Sequence, residues 1–285
     1  MKTESKTNNK QAVLITGTST GIGYATAIYL DKAGYKVFAS VRKEADKQKL
    51  MNNSSSNLIP VIMDVCDEEA VNIAYHQIKK QAEGYTFSLV NNAGVSLNGP
   101  LEILPYSDIK MLLNVNICGL LSVTKTFLPL IRNTKGRIVN ISSGHGLLAI
   151  PDKSVYAASK FAVQAISDSL RVELKPFGVK VSNIVVGKIN TNVLDKILDD
   201  RKKMINQAEP ETAKLYSTQM EYFDREVKNL PGIEAVEVAK VIADAVSNVK
   251  TKAQYLVGPG AKKMKMLACF PQAIRDNMLY KAIYK

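Results

Sequence analysis

Tyr156 and Lys160 stand four residues apart in the stretch YAASK, which has helical character. At that spacing two side chains leave the same face of a helix. A free tyrosine keeps its proton up to about pH 10, so it is a poor acid or base until a nearby positive charge favours the phenolate. Such a pair can exchange protons with an alcohol or a carbonyl without histidine, metal or carboxylate. The same spacing also occurs on ordinary solvated helices, so its meaning depends on the surrounding elements.

The composition does not favour metal chemistry. Only two histidines are present, His76 and His145, and neither belongs to a HExxH or cysteine-rich pattern, so no metal site is predicted. The three cysteines, Cys66, Cys118 and Cys269, lack CxxC or metal-like spacing. We interpret them as buried free thiols in a reducing compartment.

The chain has 285 residues and a formal net charge of +12. This charge would attract phosphates, anionic lipid headgroups or an acidic carrier protein, or it could simply keep the protein in solution. Motifs of nucleic-acid recognition are lacking, so a nucleic-acid partner is not predicted. Residues 1–11 are polar, unlike a secretory signal, and Lys125 interrupts the longest apolar run. We therefore predict a cytoplasmic location and no membrane span.

Apolar runs of strand length alternate with helical patterns along most of the chain. The predicted strands cover residues 12–16, 36–40, 58–63, 87–90, 136–142, 180–186 and 254–257. This alternation predicts an α/β fold, a single Rossmann-type domain over residues 1–285 with a doubly wound parallel sheet and helices on both faces. Ligands of such sheets bind at the carboxyl ends of the strands.

A glycine-rich turn separates the first predicted strand from the first helix. Glycines let the backbone approach a ligand, and unpaired N–H groups at a helix start attract a pyrophosphate. The residues predicted to contact a dinucleotide here are Gly17, Ser19, Thr20, Gly21, Ile22 and Gly23.

The end of the second strand favours one dinucleotide over the other. An acid at this position would bond the ribose 2′-hydroxyl of NAD, whereas the sequence has Val41-Arg42-Lys43. The guanidinium of Arg42 suits a 2′-phosphate, and the hydroxyl of Ser19 could contact the same phosphate. NADP(H) is therefore the predicted cofactor; alternatively, Arg42 and Lys43 only face solvent.

Further candidates follow the later strands. Asp64 and Val65 end the third, and Asn91-Asn92-Ala93-Gly94 end the fourth, where small residues would admit a flat ligand. Asn116 lies inside a predicted helix at residues 107–132, where asparagine is unfavourable, so we expect a local bend or a functional role there.

In this order the motifs resemble those of the short-chain dehydrogenase/reductase family, over about residues 12–257. Thr16 to Gly23 are similar to its Thr-Gly-x-x-x-Gly-x-Gly turn, residues 91–94 to its Asn-Asn-Ala-Gly, and residues 156–160 to its Tyr-x-x-x-Lys. Ser143 precedes Tyr156 by thirteen residues, as the family's catalytic serine does. One departure is Val186, where the family usually has proline.

The resemblance implies a mechanism. Tyr156 would be the acid in ketone reduction and the base in alcohol oxidation, and Lys160 would lower its pKa and hold the nicotinamide ribose. Ser143 would bond the substrate oxygen, and Asn116, in the family's Asn-x-x-Gly context, would position a water that relays protons to Lys160. Hydride would pass directly between substrate and nicotinamide.

The resemblance also implies cofactor contacts and an assembly state. Asp64 and Val65 would meet adenine and Asn92 to Gly94 the adenosine side, with Asn91 in the same group. Gly187, Ile189 and Thr191, after the sixth strand, would meet the nicotinamide end. A homodimer or homotetramer through the helix of Tyr156 is expected.

Apolar residues near these motifs predict an apolar substrate. Val95 and Leu97 follow the cofactor loop, and the charged, helix-prone insertion 192–231 is interpreted as a lid. The predicted substrate contacts are Ser143, His145, Leu147, Leu148 and Val193. For His145 the alternative is a loop residue with no chemical role.

The C-terminal extension 258–285 has two interpretations. Residues 261–285 hold six basic residues and one acid, with Ile274 and Met278 at helical spacing. They could form a helix packed over the substrate mouth, which is favoured, or a surface that rests on an anionic membrane.

The extension, with residues 36–42, resembles the hydroxysteroid and retinol dehydrogenase branch, which implies a steroid, retinoid or other lipophilic alcohol or ketone. The alternatives are a 3-oxoacyl carrier-protein reductase and a non-catalytic NADP-binding sensor or scaffold. The sensor or scaffold would have little use for Asn116, Ser143, Tyr156 and Lys160 together.

Overall fold

A seven-stranded parallel sheet forms the centre of the molecule in the computed structural model, which describes residues 10–190, 201 and 204–285. The strand order is β3-β2-β1-β4-β5-β6-β7, so the direction of winding reverses between β1 and β4. The strands are β1 Gln11–Ile15, β2 Lys36–Val41, β3 Leu58–Ile62, β4 Thr86–Asn91, β5 Arg137–Ser143, β6 Lys180–Val186 and β7 Gln254–Val257.

Helices connect the strands and cover both faces of the sheet. The α-helices in the described part are α1 Gly21–Lys32, α2 Glu44–Met51, α3 Glu68–Gln81, α4 Tyr106–Leu113, α5 Leu120–Asn133, α6 Ser154–Glu173, α7 Pro210–Leu215, α8 Ser217–Asn229, α9 Ala235–Ser247, α10 Pro259–Leu267 and α11 Gln272–Tyr284. This architecture confirms the predicted fold class, including a helical extension after β7.

Two apolar layers, one on each face of the sheet, explain why polar and apolar residues do not simply alternate along the strands. On one face, Val13 and Ile15 of β1 pack in a cluster with Leu30 of α1 and Ile242 of α9. On the other face, residues such as Leu14 of β1 pack with side chains of α3 and α5. Because both faces of a parallel sheet are covered, its strands are apolar throughout.

The helix predicted at residues 107–132 is divided into three parts. α4 and α5 are separated by a π-helical turn at Asn114–Gly119, which contains Asn116. π-Helical turns inside α-helices are rare and occur frequently at functional sites. The unfavourable asparagine therefore does coincide with a local change of helix geometry.

Within the described residues, the continuous helical run Tyr106–Asn133 is long and apolar enough by length and composition to cross a membrane. By that criterion the expectation that no run reaches this length was wrong. Val123, Phe127 and Ile131 of the run are fully buried against the sheet. The run therefore occupies the position of a core helix.

The cysteines are free but not uniformly buried. Cys66 is partly buried, whereas Cys118 and Cys269 are exposed, so the prediction of buried thiols was wrong for these two. Cys118 lies in the π-helical turn and Cys269 follows α10, and both positions face outward from the apolar layers.

Candidate active site

The glycine-rich turn after β1 is held by residues at the end of β4. The Thr16 hydroxyl oxygen accepts hydrogen bonds from the backbone N–H groups of Asn92 and Ala93, both at 3.0 Å. The Asn92 side-chain amide donates to the carbonyl oxygens of Thr16 at 2.8 Å and Gly17 at 2.9 Å. Asn92 therefore stabilises the turn.

The glycines in this turn are required by its geometry. Gly17 and Gly21 have φ of +69° and +61°, values that side chains disfavour. A Cβ on Gly23 would collide with the Gly17 carbonyl and with the Asn92 amide. Helix α1 begins at Gly21, and Thr20 makes no side-chain cap, so the N–H groups of the first turn are not capped by that side chain. The bare backbone and these N–H groups suit a dinucleotide pyrophosphate.

Three predicted adenosine contacts lie together at the next corner of the sheet. Asp64, after β3, accepts a hydrogen bond from the Cys66 N–H at 3.0 Å. Burial and Asp64 raise the pKa of the Cys66 thiol, and the charge of exposed Arg42, at the end of β2, lowers it. Val65 is buried, and a Cβ on Gly119 would collide with it. Arg42, Asp64 and Val65 are therefore close to one another although they follow different strands.

Asn116 connects the segment after β4 to helix α6. Its Oδ1 accepts from the Val95 N–H at 2.8 Å, and its Nδ2 donates to the Val95 carbonyl at 2.9 Å and to the Ser159 hydroxyl at 3.0 Å. The side chain is buried, at 2% exposure. Its contacts order the segment after Gly94, and the water-positioning role stays a prediction.

Lys160 is buried beside the same segment. Its Nζ donates to the Ile141 carbonyl of β5 at 3.0 Å, and burial lowers its pKa to about 8. Gly94 lies close to both groups, since a Cβ there would be 3.3 Å from Asn116 Oδ1 and 3.6 Å from Lys160 Nζ. Asn116 and Lys160 therefore both approach Gly94, and the water relay between them stays a prediction.

Tyr156 lies between Lys160 and Ser143. The Lys160 Nζ is 5.8 Å from the centre of the Tyr156 ring. Burial, the larger effect, raises the pKa of Tyr156, and a hydrogen bond with the Ser143 side chain lowers it. Burial and not Lys160 therefore dominates the pKa of Tyr156 in this structure, which keeps the phenol protonated at neutral pH. That protonated form is the one needed to donate a proton to a carbonyl.

His145 packs against Tyr156. Their ring centres are 5.8 Å apart and the planes meet at 71°. Burial, with a smaller effect from the charge of Lys153, lowers the pKa of His145 to about 3, so its imidazole is neutral. Its Nδ1 has no hydrogen-bond partner among the described residues. His145 is therefore a wall of the site and not a proton carrier.

An apolar cluster lies on another side of Tyr156. It includes the predicted residues Val95 and Leu97, and it also contains residues the sequence had not singled out, namely Val155, Met204 and Met220. Met204 and Met220 belong to the region expected to be a lid, but nothing in that helix-prone insertion marked them as facing the site.

Of the remaining predicted substrate contacts, Leu147 and Leu148 are described by the structure and Val193 is not. Leu148, which is buried, and Leu147, which is partly buried, follow the Gly144–Gly146 turn after β5 and lie outside that apolar cluster. Val193 and the predicted cofactor contact Thr191 lie outside the described residues.

The turn after β6 is held from both sides. Val186, the departure from the family pattern, pairs with Ser143 of β5 and Val257 of β7. A Cβ on Gly187 would be 3.1 Å from the backbone nitrogen of Ala261, and Ile189 pairs with Ile233. Sheet pairing and the C-terminal extension thus order this turn without the proline.

The extension packs beside the site, but not through the face that was predicted. A Cβ on Gly144, next to Ser143, would collide with Met264 of α10. In α11, Ile283 is buried, whereas Ile274 and Met278 are each 47% exposed. The prediction that these two residues pack inward was wrong, because α11 docks through its last turn.

A doubly wound parallel sheet, with a glycine turn at its switch point and Ser143, Tyr156 and Lys160 gathered beside it, defines a dinucleotide-dependent oxidoreductase that acts on CH–OH groups. The comparison with protein families agrees. Residues 11–202 match the family model described as short chain dehydrogenase, and the chain belongs to that family, whose members use a nicotinamide cofactor.

The chain is similar to several known proteins over most of its length. It is 34% identical over 259 residues to 3-amino-tetrahydro-pyrrolizinone reductase of Xenorhabdus hominickii, covering 89% of this chain and 88% of that protein. It is 32% identical over 277 residues to retinol dehydrogenase 7 of Rattus norvegicus, covering 94% and 87%. The likeness to retinol dehydrogenase 7 agrees with the predicted hydroxysteroid and retinol dehydrogenase branch.

Solved structures resemble the fold. A short-chain dehydrogenase from Streptomyces avermitilis superposes with a TM-score of 0.78 at 24% identity, covering 96% of this chain and 97% of that one. A structure described as ElxO with NADP bound superposes with a TM-score of 0.70 at 28% identity, covering 87% and 96%.

Proposed function

We propose that this protein is an NADP-dependent oxidoreductase that interconverts a primary or secondary alcohol and its aldehyde or ketone on a lipophilic, steroid-like or retinoid-like substrate. The observation that carries the proposal is the environment of Tyr156. The Ser143 side chain bonds the Tyr156 side chain, Lys160 Nζ lies 5.8 Å from the ring centre, and the ring packs against the apolar cluster that contains Met204.

On this proposal Ser143, Tyr156, Lys160 and Asn116 each have a separate role in the reaction. In carbonyl reduction Tyr156 donates its proton to the substrate oxygen, which Ser143 holds by a hydrogen bond, and in alcohol oxidation the proton returns to Tyr156. Bound NADP(H) supplies or accepts the hydride. Lys160 holds the ribose and places a positive charge near Tyr156. Asn116 orders the segment on which these groups converge.

The preference for NADP(H) is supported by the corner at the end of β2. Arg42 is exposed there and lies near Asp64, and neither Val41 nor Arg42 supplies the acid that would bond a free ribose hydroxyl. A similar solved structure is described as having NADP bound. Both observations favour a 2′-phosphate at this corner.

The lipophilic substrate class is supported by the apolar cluster, and an open cleft beside this cluster offers a route of entry. The cleft, with a volume of about 490 Å³, lies between residues 102–105 and 204–212. It shares Leu104 and Met204 with the cluster, although its lining does not include Tyr156. On this proposal substrate enters from the cleft and displaces the flexible Met204 side chain to reach Tyr156. The likeness to a retinol dehydrogenase favours the same class.

A panel of candidate substrates tests the proposal. NADPH absorbance is followed with retinal, steroid ketones, acyl thioesters and simple ketones, in the reverse direction with the matching alcohols. We expect turnover of retinal or a steroid with the highest kcat/KM. Preference for thioesters would support the carrier-protein reductase instead. NADPH binding without turnover of any compound would support the sensor or scaffold.

We also propose a homodimer or homotetramer formed through α5 and α6. Leu121 and Phe161 each expose 43% of their surface on these helices, and Val172 exposes 74%. Burial of such side chains in an interface stabilises association. Light scattering after gel filtration should give a mass of two or four chains, and Leu121→Asp with Phe161→Asp should give one. The control Ile73→Asp, on α3, should leave the assembly intact.

The location proposed is the cytoplasm, with peripheral contact to anionic membranes through residues 261–285. Met266, Phe270, Ile274 and Met278 are exposed in this basic segment. Apolar side chains among lysines are typical of helices that lie on a membrane surface. Sedimentation with phosphatidylserine liposomes should recover the full chain and lose most of it when residues 261–285 are removed. Equal recovery would reject the contact.

A further inference from the structure

An ionic network centred on two buried residues, Asp152 and Arg201, lies next to the start of helix α6. The Arg201 guanidinium contacts the carboxylate of Asp152 and lies 3.0 Å from a carboxylate oxygen of Asp224. Arg201 is 6% exposed, and the Asp152 side chain is fully buried. The second carboxylate oxygen of Asp152 accepts a hydrogen bond from the Gln219 amide. Asp152 thus has two buried donors, both from residues far away in the sequence.

The network joins the catalytic region to two other segments. Asp152 lies four residues before Tyr156, and its carbonyl accepts from the Gly99 N–H at 2.9 Å. Gln219 belongs to α8, and its side-chain amide oxygen accepts a hydrogen bond from the Tyr284 hydroxyl of α11 at 3.0 Å. The loop before α6, the helix α8 and the end of the extension are therefore linked through one carboxylate and one amide.

Fold stability alone is a poor explanation for these charges. Removing the Asp152 carboxylate and the Arg201 guanidinium from water is costly, and apolar residues of similar size often hold a protein together equally well. A guanidinium differs in demanding one planar arrangement of its carboxylate partners. The backbone of Asp152 is in the left-handed region, at φ +65°, where a non-glycine residue is uncommon. This arrangement fixes the position of α8 relative to the loop before α6, which contains Asp152.

The residues beside the network form one wall of the site. Met204 follows Arg201 by three positions and Met220 follows Gln219 directly, and both lie in the apolar cluster that contains Val155 and Tyr156. A Cβ on Gly99 would collide with the Met204 side chain, so this wall reaches the loop that Asp152 also holds. Arg201 is thus close in sequence to Met204, and through Asp224 it also contacts the helix that carries Met220.

We propose that Asp152 and Arg201 are positioning residues that hold the Met204 and Met220 wall against Tyr156 and thereby set which substrates fit. The proposal rests on the proposed catalytic role of Tyr156 and on the apolar site, but not on which lipophilic substrate is used. Neither residue touches the reacting atoms. Their effect should therefore appear in substrate binding and selectivity, with little effect on cofactor binding.

Two variants and a matched control test this role in the full-length protein. Arg201→Met removes the guanidinium but leaves the carboxylates, so it could unfold the region. The triple variant Asp152→Asn, Arg201→Met, Asp224→Asn removes all three charges at similar volume and should stay folded. Arg225→Met makes the same chemical change at the next residue of α8 after Asp224, where the arginine is exposed.

For the triple variant we expect KM for the best lipophilic substrate to rise about tenfold and its advantage over a small ketone to fall about tenfold. The dissociation constant of NADPH and the melting temperature should stay near those of the wild type, and Arg225→Met should change nothing. A folded triple variant with unchanged KM and selectivity would overturn the proposal. If kcat/KM fell equally for all substrates and NADPH bound more weakly, the network would have a structural role only, and the proposal would be overturned as well.

Hydrogen exchange of the NADPH complex gives a second test that needs no substrate. Amide exchange within residues 204–226 should speed up about tenfold in the triple variant and stay unchanged in Arg225→Met, while residues 10–90 exchange as in the wild type. Unchanged exchange in residues 204–226 would overturn the proposal. Should the wild type turn over none of the compounds, the proposed function fails, and this measurement still decides whether the network holds α8.

Discussion

Asn116 and Lys160 approach the same glycine from two different helices: a Cβ on Gly94 would lie 3.3 Å from the Asn116 Oδ1 and 3.6 Å from the Lys160 Nζ. The absence of a side chain at Gly94 keeps this space open. Because Asn116 also bonds the backbone at Val95, the loop after β4 is held at the point where the two side chains meet.

Gly94→Ala tests whether this space is used. We expect NADPH to bind about tenfold more weakly, because the added methyl occupies the space between Asn116 and Lys160. Isothermal titration calorimetry measures the affinity. Gly260→Ala is the matched control, since its Cβ would meet only ordinary contacts of 3.8 Å or more. If the Gly94→Ala variant bound NADPH as tightly as the wild type, the cofactor would not approach Gly94.

Tyr156→Phe tests the acid and base assignment. Loss of the hydroxyl removes the proton donor while the ring still packs against His145, so kcat should fall by about a thousandfold with NADPH binding preserved. NADPH absorbance and fluorescence titration measure the two quantities. Tyr106→Phe, at a tyrosine that is 71% exposed, is the control. Turnover that survives in the Tyr156 variant would eliminate the mechanism.

Arg42→Ala tests the cofactor preference. A guanidinium that bonds the 2′-phosphate should favour NADPH over NADH in the wild type, and its removal should reduce that ratio by about tenfold to a hundredfold. Binding of both cofactors is measured for the wild type, Arg42→Ala and the control Lys80→Ala, an exposed cation on α3. Equal affinities in the wild type would contradict the preference.

The pKa of Lys160 predicts a pH dependence of cofactor binding. Burial lowers it from 10.5 to about 8, so the ammonium is charged below about pH 8 and loses its proton as the pH rises through that value. NADPH affinity should therefore fall above about pH 8, well before an exposed lysine would titrate. The fall should disappear in Lys160→Met.

Lys153→Met is the control for this experiment, because burial also lowers the pKa of Lys153 to about 8. The Lys153 variant should keep the fall in affinity above pH 8. If the fall in NADPH affinity disappeared in Lys153→Met and persisted in Lys160→Met, the titrating group would be Lys153, and the prediction would be wrong. His145, with a pKa of about 3, should contribute nothing between pH 5 and pH 8.

The structure confirms the predicted fold class, and most of the fold could be predicted because its signals are local. A buried parallel strand is apolar over its whole length, so β1, β4 and β6 stand out as runs. β2 extends one residue past its prediction to Val41, and β5 ends at Ser143, which places the serine at the strand end itself. The π-helical turn at Asn114–Gly119 could only be suspected, since one unfavourable asparagine does not specify a helix geometry.

The site was predictable to a lesser degree. Residues that follow strands, such as Arg42 and Asp64, meet because parallel strands end at one edge, which the sequence implies. Ile274 and Met278 were assigned to the interior because helical spacing shows that two residues share a face. Spacing does not show which face is covered, and here that face is exposed.

The sequence by itself determined the strands, the glycine turn and the set of chemical groups at the strand ends, because each depends on residues close together in the chain. Only the tertiary structure decided the burial of Lys160 and His145, the bonds of Asn116 to Val95, and the contact of Arg201 with Asp152. These depend on packing between segments that are distant in sequence, and burial changes a pKa only after that packing has excluded water.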